Sequence, residues 1–278
     1  MNSRSESRVP KWVFIIPVAG LVVLLVAWGQ RPDGRLHLWV LDVGQGNAVM
    51  LRTPQGHTAV IDGGPGGPSL NEGIGRRMPF WQNDVDMVAL TAPKAENVMG
   101  LVDLLGRRGV SQVVEARGRG AGVGDQGGEI SETNVVGAWR EAVGQSGAAV
   151  HYARRGDVIR FDGEPEVELR VLYPLGEEDA PMVVKVEYDG VSVLLAGSME
   201  KEDEGRLIGV ADEGELGSDV LVVPDHGSDT ALSQGLLRAV GPKVAVISVG
   251  EGNRGGDPSP EVLARLEGAG VRVYRTDV

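Results

Sequence analysis

Residues 36–64 read LHLWVLDVGQGNAVMLRTPQGHTAVIDGG. Three short apolar or alternating runs, 36–42, 47–53 and 58–62, are separated by Gly44-Gln45-Gly46 and by Pro54-Gln55-Gly56. Alternation with a period of two, punctuated by Gly and Pro, is the pattern of strands joined by tight turns. This stretch therefore predicts a three-stranded meander.

Working outward toward the C-terminus, the pattern becomes mixed. A buried strand is predicted over 86–91, a helix over 97–107, a strand over 112–116 and a helix over 132–143. A second strand-rich block follows at 158–161, 167–173, 182–188 and 191–196, with Asp189-Gly190 between the last two as a two-residue hairpin turn. Then come a helix over 200–208, a strand over 220–223, a helix over 232–240, a strand over 244–249, a helix over 260–268 and a strand over 271–274. Strands followed by mixed α/β, twice, predict two sheets, each covered on one face by helices: a four-layer αββα sandwich. Residues 118–128 hold six glycines in eleven positions without periodicity and read as a mobile loop. The acidic run Glu200-Lys201-Glu202-Asp203-Glu204 reads as the solvated face of its helix.

Toward the N-terminus the character changes. Residues 12–28, WVFIIPVAGLVVLLVAW, carry no charge and lie between Lys11 and Arg31. At ~1.5 Å per residue they span ~25 Å as a helix, near the lower limit for a bilayer core. Tryptophans at both ends match the interfacial belts of membrane spans, and no small-x-small cleavage site follows, so a retained transmembrane helix is favoured over a cleaved signal peptide. Three basic residues precede the span and two follow it, which predicts a cytoplasmic basic tail (1–11), an anchor (12–28), a linker (29–35) and an extracytoplasmic body (36–278) in a single-pass cell-membrane protein.

The formal charge of the 278 residues is −12. Residues 1–35 carry five basic and two acidic side chains, so 36–278 carry the equivalent of −15. Such a body repels polyanions and disfavours nucleic-acid binding by its bulk surface. No cysteine is present, which excludes disulfides, thiolate zinc sites, iron–sulfur clusters and cysteine nucleophiles. The four histidines are His37, His57, His151 and His226.

Seven ordered blocks carry a family likeness: Leu41-Asp42-Val43-Gly44-Gln45-Gly46-Asn47-Ala48, Ile61-Asp62-Gly63-Gly64, His226-Gly227-Ser228, Ile247-Ser248-Val249-Gly250, Asn253-Arg254, Pro258-Ser259-Pro260-Glu261-Val262-Leu263 and Tyr274-Arg275-Thr276-Asp277. In order and spacing they resemble the metallo-β-lactamase-like domain of ComEC-type DNA-internalisation (competence) proteins, over essentially all of 36–278. The resemblance implies a fold that holds two divalent ions with a Thr-His-Pro-His-x-Asp-His loop, a Gly-Asp and a His-His-Gly-Ser. Here the matching positions are Ala92, Lys94, Glu96 and Asn97, then Ser198, then Asp225 and His226, with Asp257 in place of a further histidine and Asn47 in place of an acidic residue of the first block.

Amide, hydroxyl and methyl groups are poor partners for a dication, and an ammonium is repelled by one. The expectation is therefore a domain without a cofactor, in which Lys94 replaces the ion by pairing with Glu96, Asp225 or Asp62. Two functions follow. One is a membrane-tethered, catalytically inactive binding or assembly module linked to DNA uptake or the cell envelope, with the membrane as one partner and a protein as another. The other is an active nuclease or phosphodiesterase with a carboxylate-rich site rebuilt from Asp62, Glu96, Asp225, His226 and Asp257, using Mn²⁺, Mg²⁺ or Zn²⁺.

Overall fold

The meander forms as β1 (His37–Val40), β2 (Val49–Arg52) and β3 (Thr58–Ile61), paired antiparallel. Three parallel strands continue the same sheet: β4 (Val85–Leu90), β5 (Val110–Ala116) and β6 (Ala149–Ala153). The second sheet repeats the scheme. Antiparallel β7 (Val158–Phe161), β8 (Val167–Tyr173), β9 (Val183–Tyr188) and β10 (Val191–Leu195) are followed by parallel β11 (Val220–Val222), β12 (Val244–Ile247) and β13 (Arg272–Arg275). This computed structural model describes residues 12–116, 132–174 and 181–278, without the side chains of 12–15 and 132–133. The basic tail 1–11 and the glycine-rich segment 118–128 lie outside the described residues.

The helices are α1 (Trp12–Gly29), α2 (Gly67–Gly75), α3 (Ala95–Arg107), α4 (Glu132–Ser146), α5 (Lys201–Val210), α6 (Gln234–Val240) and α7 (Pro260–Gly268). Successive strand residues point to opposite faces, and this alternation sorts the apolar side chains into three layers. Val60 and Val88 pack with Leu101 and Leu104 of α3, whereas Ala59, Ile61, Met87 and Ala89 face Val184, Leu195 and Val222 of the other sheet. Leu194, Leu221 and Ala245 turn the other way, toward Leu207, Leu236 and Val262 of α5, α6 and α7. Two sheets thus pack face to face and are flanked by helices.

The hairpin between β9 and β10 has Asp189 at φ 47° and Gly190 at φ 75°, both in the left-handed region that a tight two-residue turn requires. Two elements lie outside the sequence expectation. α2 opens on Gly67-Pro68 and buries only Leu70 and Ile74 beyond its first residue, too few positions to show a helical period. β6 is an edge strand with four exposed residues before Ala153, so no alternation marks it.

One expectation is corrected. The acidic run of α5 is not wholly solvated: Glu204 is completely buried and accepts the Ser233 backbone N–H at 2.7 Å, at the start of α6. α1 covers the apolar N-terminal stretch, and its described side chains from Ile16 to Trp28 are largely exposed. Among the described residues, no helix is long and apolar enough to cross a membrane.

Candidate functional site

The parallel strands of both sheets point their C-terminal ends at one place, where the loops after β3, β4, β10, β11 and β12 meet. Close backbone approach draws the first of these loops onto α3: a Cβ on Gly100 would lie 1.8 Å from the Gly63 carbonyl oxygen. Contacts then cross between the halves. Ser248 Oγ donates to the Gly46 carbonyl at 2.8 Å, and Gln45 Nε2 donates to Asp257 at 3.2 Å.

At the centre sits an uncharged network. Asn97 Nδ2 donates to Ser198 Oγ at 2.9 Å and lies 3.4 Å from the Ala92 carbonyl. Asn47 Nδ2 reaches Asn97 Oδ1 at 3.3 Å and Ser198 Oγ at 3.5 Å. All four residues are buried, Asn97 completely. The cavity beside them, lined by Asn47, Asp62, Thr91, Gly197 and Ser248 among others, is ≈ 10 Å³. That is about the room one water needs.

Beneath this network Asp62 ends β3 with φ 58°. Its carboxylate accepts the Thr91 backbone N–H at 2.8 Å and the Thr91 hydroxyl at 2.6 Å, tying the end of β3 to the end of β4. Burial pushes its pKa up to about 7, against the Thr91 hydrogen bonds and the nearby His226, and Glu96 adds to the rise. A short-range structural tie and a place at the site are thus the same residue.

The rim is charged. Lys94 Nζ lies 3.5 Å from Glu200 and 3.9 Å from Asp225. Of the three acids expected to face Lys94, Asp225 does; Glu200 is the partner the sequence does not suggest. Asp225 also accepts the Ser228 hydroxyl at 2.7 Å. His226, buried at 4% exposure, has Nδ1 2.8 Å from the Ser248 carbonyl and Nε2 3.6 Å from Glu96. At that distance the Glu96 contact is electrostatic rather than a hydrogen bond, and Nε2 has no hydrogen-bond partner. His226 holds the Glu96 carboxyl below its usual range. Burial alone would lower the imidazole pKa; Glu96 first, then the Ser248 carbonyl and Asp225, reverse that, and the net shift is upward. Asp257 is raised chiefly by burial. Both Asp225 (φ 45°) and His226 (φ 56°) have left-handed backbones, as Asp62 has, and such conformations in non-glycine residues concentrate at functional sites.

The fold thus brings Ala92, Asn97 and Ser198 into one neutral cluster and sets Lys94, Glu96, Asp225 and His226 around it as pairs. Asp257 and Asp62 lie on separate sides, held by Gln45 and Thr91. Gln45, Thr91 and Ser248 are not picked out as site residues by sequence; their roles rest on contacts with Asp257, Asp62 and His226 that only the fold creates. The other histidines sit elsewhere: His37 stacks on Trp39 beside Asp33, His57 faces Asp86 and His151 faces Asp157. Among the described residues, no three His, Asp or Glu side chains are grouped to hold a metal ion. The central side chains, two carboxamides, a hydroxyl and a methyl group that offers no lone pair, do not fit a di-metal centre.

Residues 41–251 match the profile of the Metallo-beta-lactamase superfamily. The chain belongs to this superfamily. Among curated proteins it is 26% identical over 259 residues to ComE operon protein 3 of Bacillus subtilis (strain 168), covering 86% of this chain and 31% of that protein. It is 36% identical over 96 residues to the competence protein ComA of Neisseria gonorrhoeae, covering 34% of this chain and 14% of that protein. The chain therefore spans about a third or less of these relatives. It is a ComEC-like metallo-β-lactamase domain, as the seven sequence blocks imply. Solved structures share the fold at low identity: CmlA, a diiron beta-hydroxylase from Streptomyces venezuelae, at TM-score 0.55 and 14% identity over 88% of this chain and 53% of that one. A diphosphatase of the PhnP family matches at TM-score 0.50 and 13% identity over 84% of this chain and 82% of that one.

Proposed function

We propose that this superfamily member is a catalytically inactive ComEC-like module that binds or assembles a partner, linked to DNA uptake or the cell envelope. It is tethered by residues 12–28, with a cytoplasmic tail and an extracytoplasmic body. The observation that carries the inactive reading is the buried Asn47–Asn97–Ser198 network, in which Asn97 and Ser198 stand at positions where the family resemblance implies metal ligands. A neutral, hydrogen-bonded core cannot lower the pKa of a bound water, which needs a cation held in fixed geometry. Lys94 at the rim adds a positive charge where a dication would be repelled. The apolar, uncharged α1 and the basic residues flanking it support the tether. The formal charge of −12 favours a protein over a polyanion as partner of the bulk surface.

Elemental analysis of the purified chain, with a nuclease assay on single-stranded DNA in added Mn²⁺, tests this. The expected outcome is substoichiometric metal and no cleavage. A tightly held stoichiometric dication, or cleavage abolished by the double variant Asp225→Ala, His226→Ala, would establish the rebuilt carboxylate site instead.

A further inference from the structure

The linker after α1 is docked on the body. Arg52 Nη2 donates to the Gln30 carbonyl at 2.8 Å, and the Phe80 backbone N–H donates to the Gln30 side chain at 3.2 Å. Pro32 packs against the β2–β3 turn so closely that a Cβ on Gly56 would lie 2.9 Å from it. The C-terminal end of α1 is thereby fixed beside the turn that follows α2. That turn displays two large aromatic rings to solvent, Phe80 at 63% and Trp81 at 49% exposure, packed edge to face with centroids 4.9 Å apart. Trp28 on α1 is 71% exposed, and the Arg31 guanidinium lies 4.8 Å from its ring centroid.

This face is less acidic than the rest of the body. Residues 72–84 hold Arg76 and Arg77 between Glu72 and Asp84, and Arg31 and Arg35 lie on either side of Asp33 in the linker, so four arginines meet three acids here in a chain whose net charge is −12. Arg76 pairs with Glu72 but stays largely exposed. An amphipathic Trp81 ring, an apolar Phe80 ring and nearby arginines, at the end of an apolar helix, match the chemistry of the membrane–water interface, with rings at headgroup depth and guanidinium groups at phosphates.

We infer that Phe80 and Trp81 insert into the membrane interface where α1 emerges, so that the body rests on an anionic bilayer through this face. The inference rests on the anchor reading above. It also orients the site. Phe80 and Trp81 precede the start of β4, whereas Thr91 and Ala92 follow its end; six residues at ~3.3 Å each put ~20 Å between them. The charged rim then lies at the far end of β4 from the bilayer-facing turn.

The chain contains no cysteine, so a single Phe80→Cys in the full chain carries a unique environment-sensitive fluorophore. Trp81→Cys serves as a second membrane-face position and Asp229→Cys, exposed beside the site, as the control. The chain is reconstituted in vesicles of anionic and zwitterionic lipid containing a lipid-borne quencher and recovered by flotation. The expected result is a blue-shifted label at 80 and at 81, quenched several-fold more than the label at 229. A chain that floats while the labels at 80 and 81 stay aqueous overturns this inference alone, and leaves the pair as a contact for protein. A chain that does not float overturns the anchor and this inference together.

Discussion

The buried centre and the rim of the site occupy the same loops yet answer to different physics. At the centre, Asn47, Asn97 and Ser198 carry no charge, are buried and are held by hydrogen bonds of 2.9–3.5 Å, with Asn47 Oδ1 left without a protein partner. A few ångströms away, Lys94 lies 3.9 Å from Asp225 and His226 lies 3.6 Å from Glu96, and all four but the histidine keep contact with solvent. Burying a charge without a partner costs far more than burying a satisfied amide. The inner positions are accordingly neutral groups and the outer ones ionisable groups of opposite kind set side by side. The contrast teaches that the same loops hold neutral hydrogen-bonded groups at the closed centre and ionisable pairs where solvent reaches them.

Asp62 is the exception to this division, being acidic and fully enclosed, and it gives the largest expected effect. Its pKa is near 3.8 in an unfolded chain and about 7 in the fold. Between these values the folded state retains a proton that the unfolded state has released, so this residue makes stability fall as pH rises from about 4 to about 7. At ~1.36 kcal/mol per pKa unit the contribution is on the order of 4 kcal/mol. Asp62→Asn, tolerated at positive φ, should flatten that part of the pH profile in denaturant titrations. An unchanged profile would show that Asp62 ionises freely and that the boundary between neutral centre and charged rim is misdrawn.

Next in size is the network itself. Asn97→Ala removes the partner of Ser198 and of Asn47 inside a closed space, and should destabilise the fold by about 2–3 kcal/mol in thermal or chemical unfolding. A loss below a few tenths of a kcal/mol would mean that water enters the centre and satisfies the orphaned groups. The smallest effect belongs to the rim. Lys94→Ala, which breaks contacts at 3.5 and 3.9 Å between partly exposed groups, should change stability by less than about 1 kcal/mol, and the change should shrink further in high salt. A cost as large as that of Asn97→Ala would place Lys94 with the centre instead.

β3 and β4, buried along almost their whole length, were legible as short apolar runs bounded by turn residues. β6 was not, because an exposed edge strand has no face to hide, and α2 was not, because its start reads as a turn. At the site, the block matches located the positions, and the pairing of Lys94 with Asp225 was among the expected outcomes. Its contact with Glu200 was hidden, since that residue sits in an acidic run that reads as solvated surface. The same reading concealed Glu204, which the start of α6 draws into the interior.

Residue types alone determined that this protein has no thiolates and only four imidazoles, and therefore which chemistries its site could never assemble. Alternation and punctuation likewise determined two strand-rich halves with helices between them. Only the tertiary structure decided that Asn47, Asn97 and Ser198 become one network, that three of the histidines stand apart, and that the Phe80–Trp81 turn lies against the end of α1. The physical reason is range. A period or a turn is written in neighbouring residues, whereas a hydrogen bond between residues 97 and 198 exists only when two packed sheets bring their strand ends within about 3 Å.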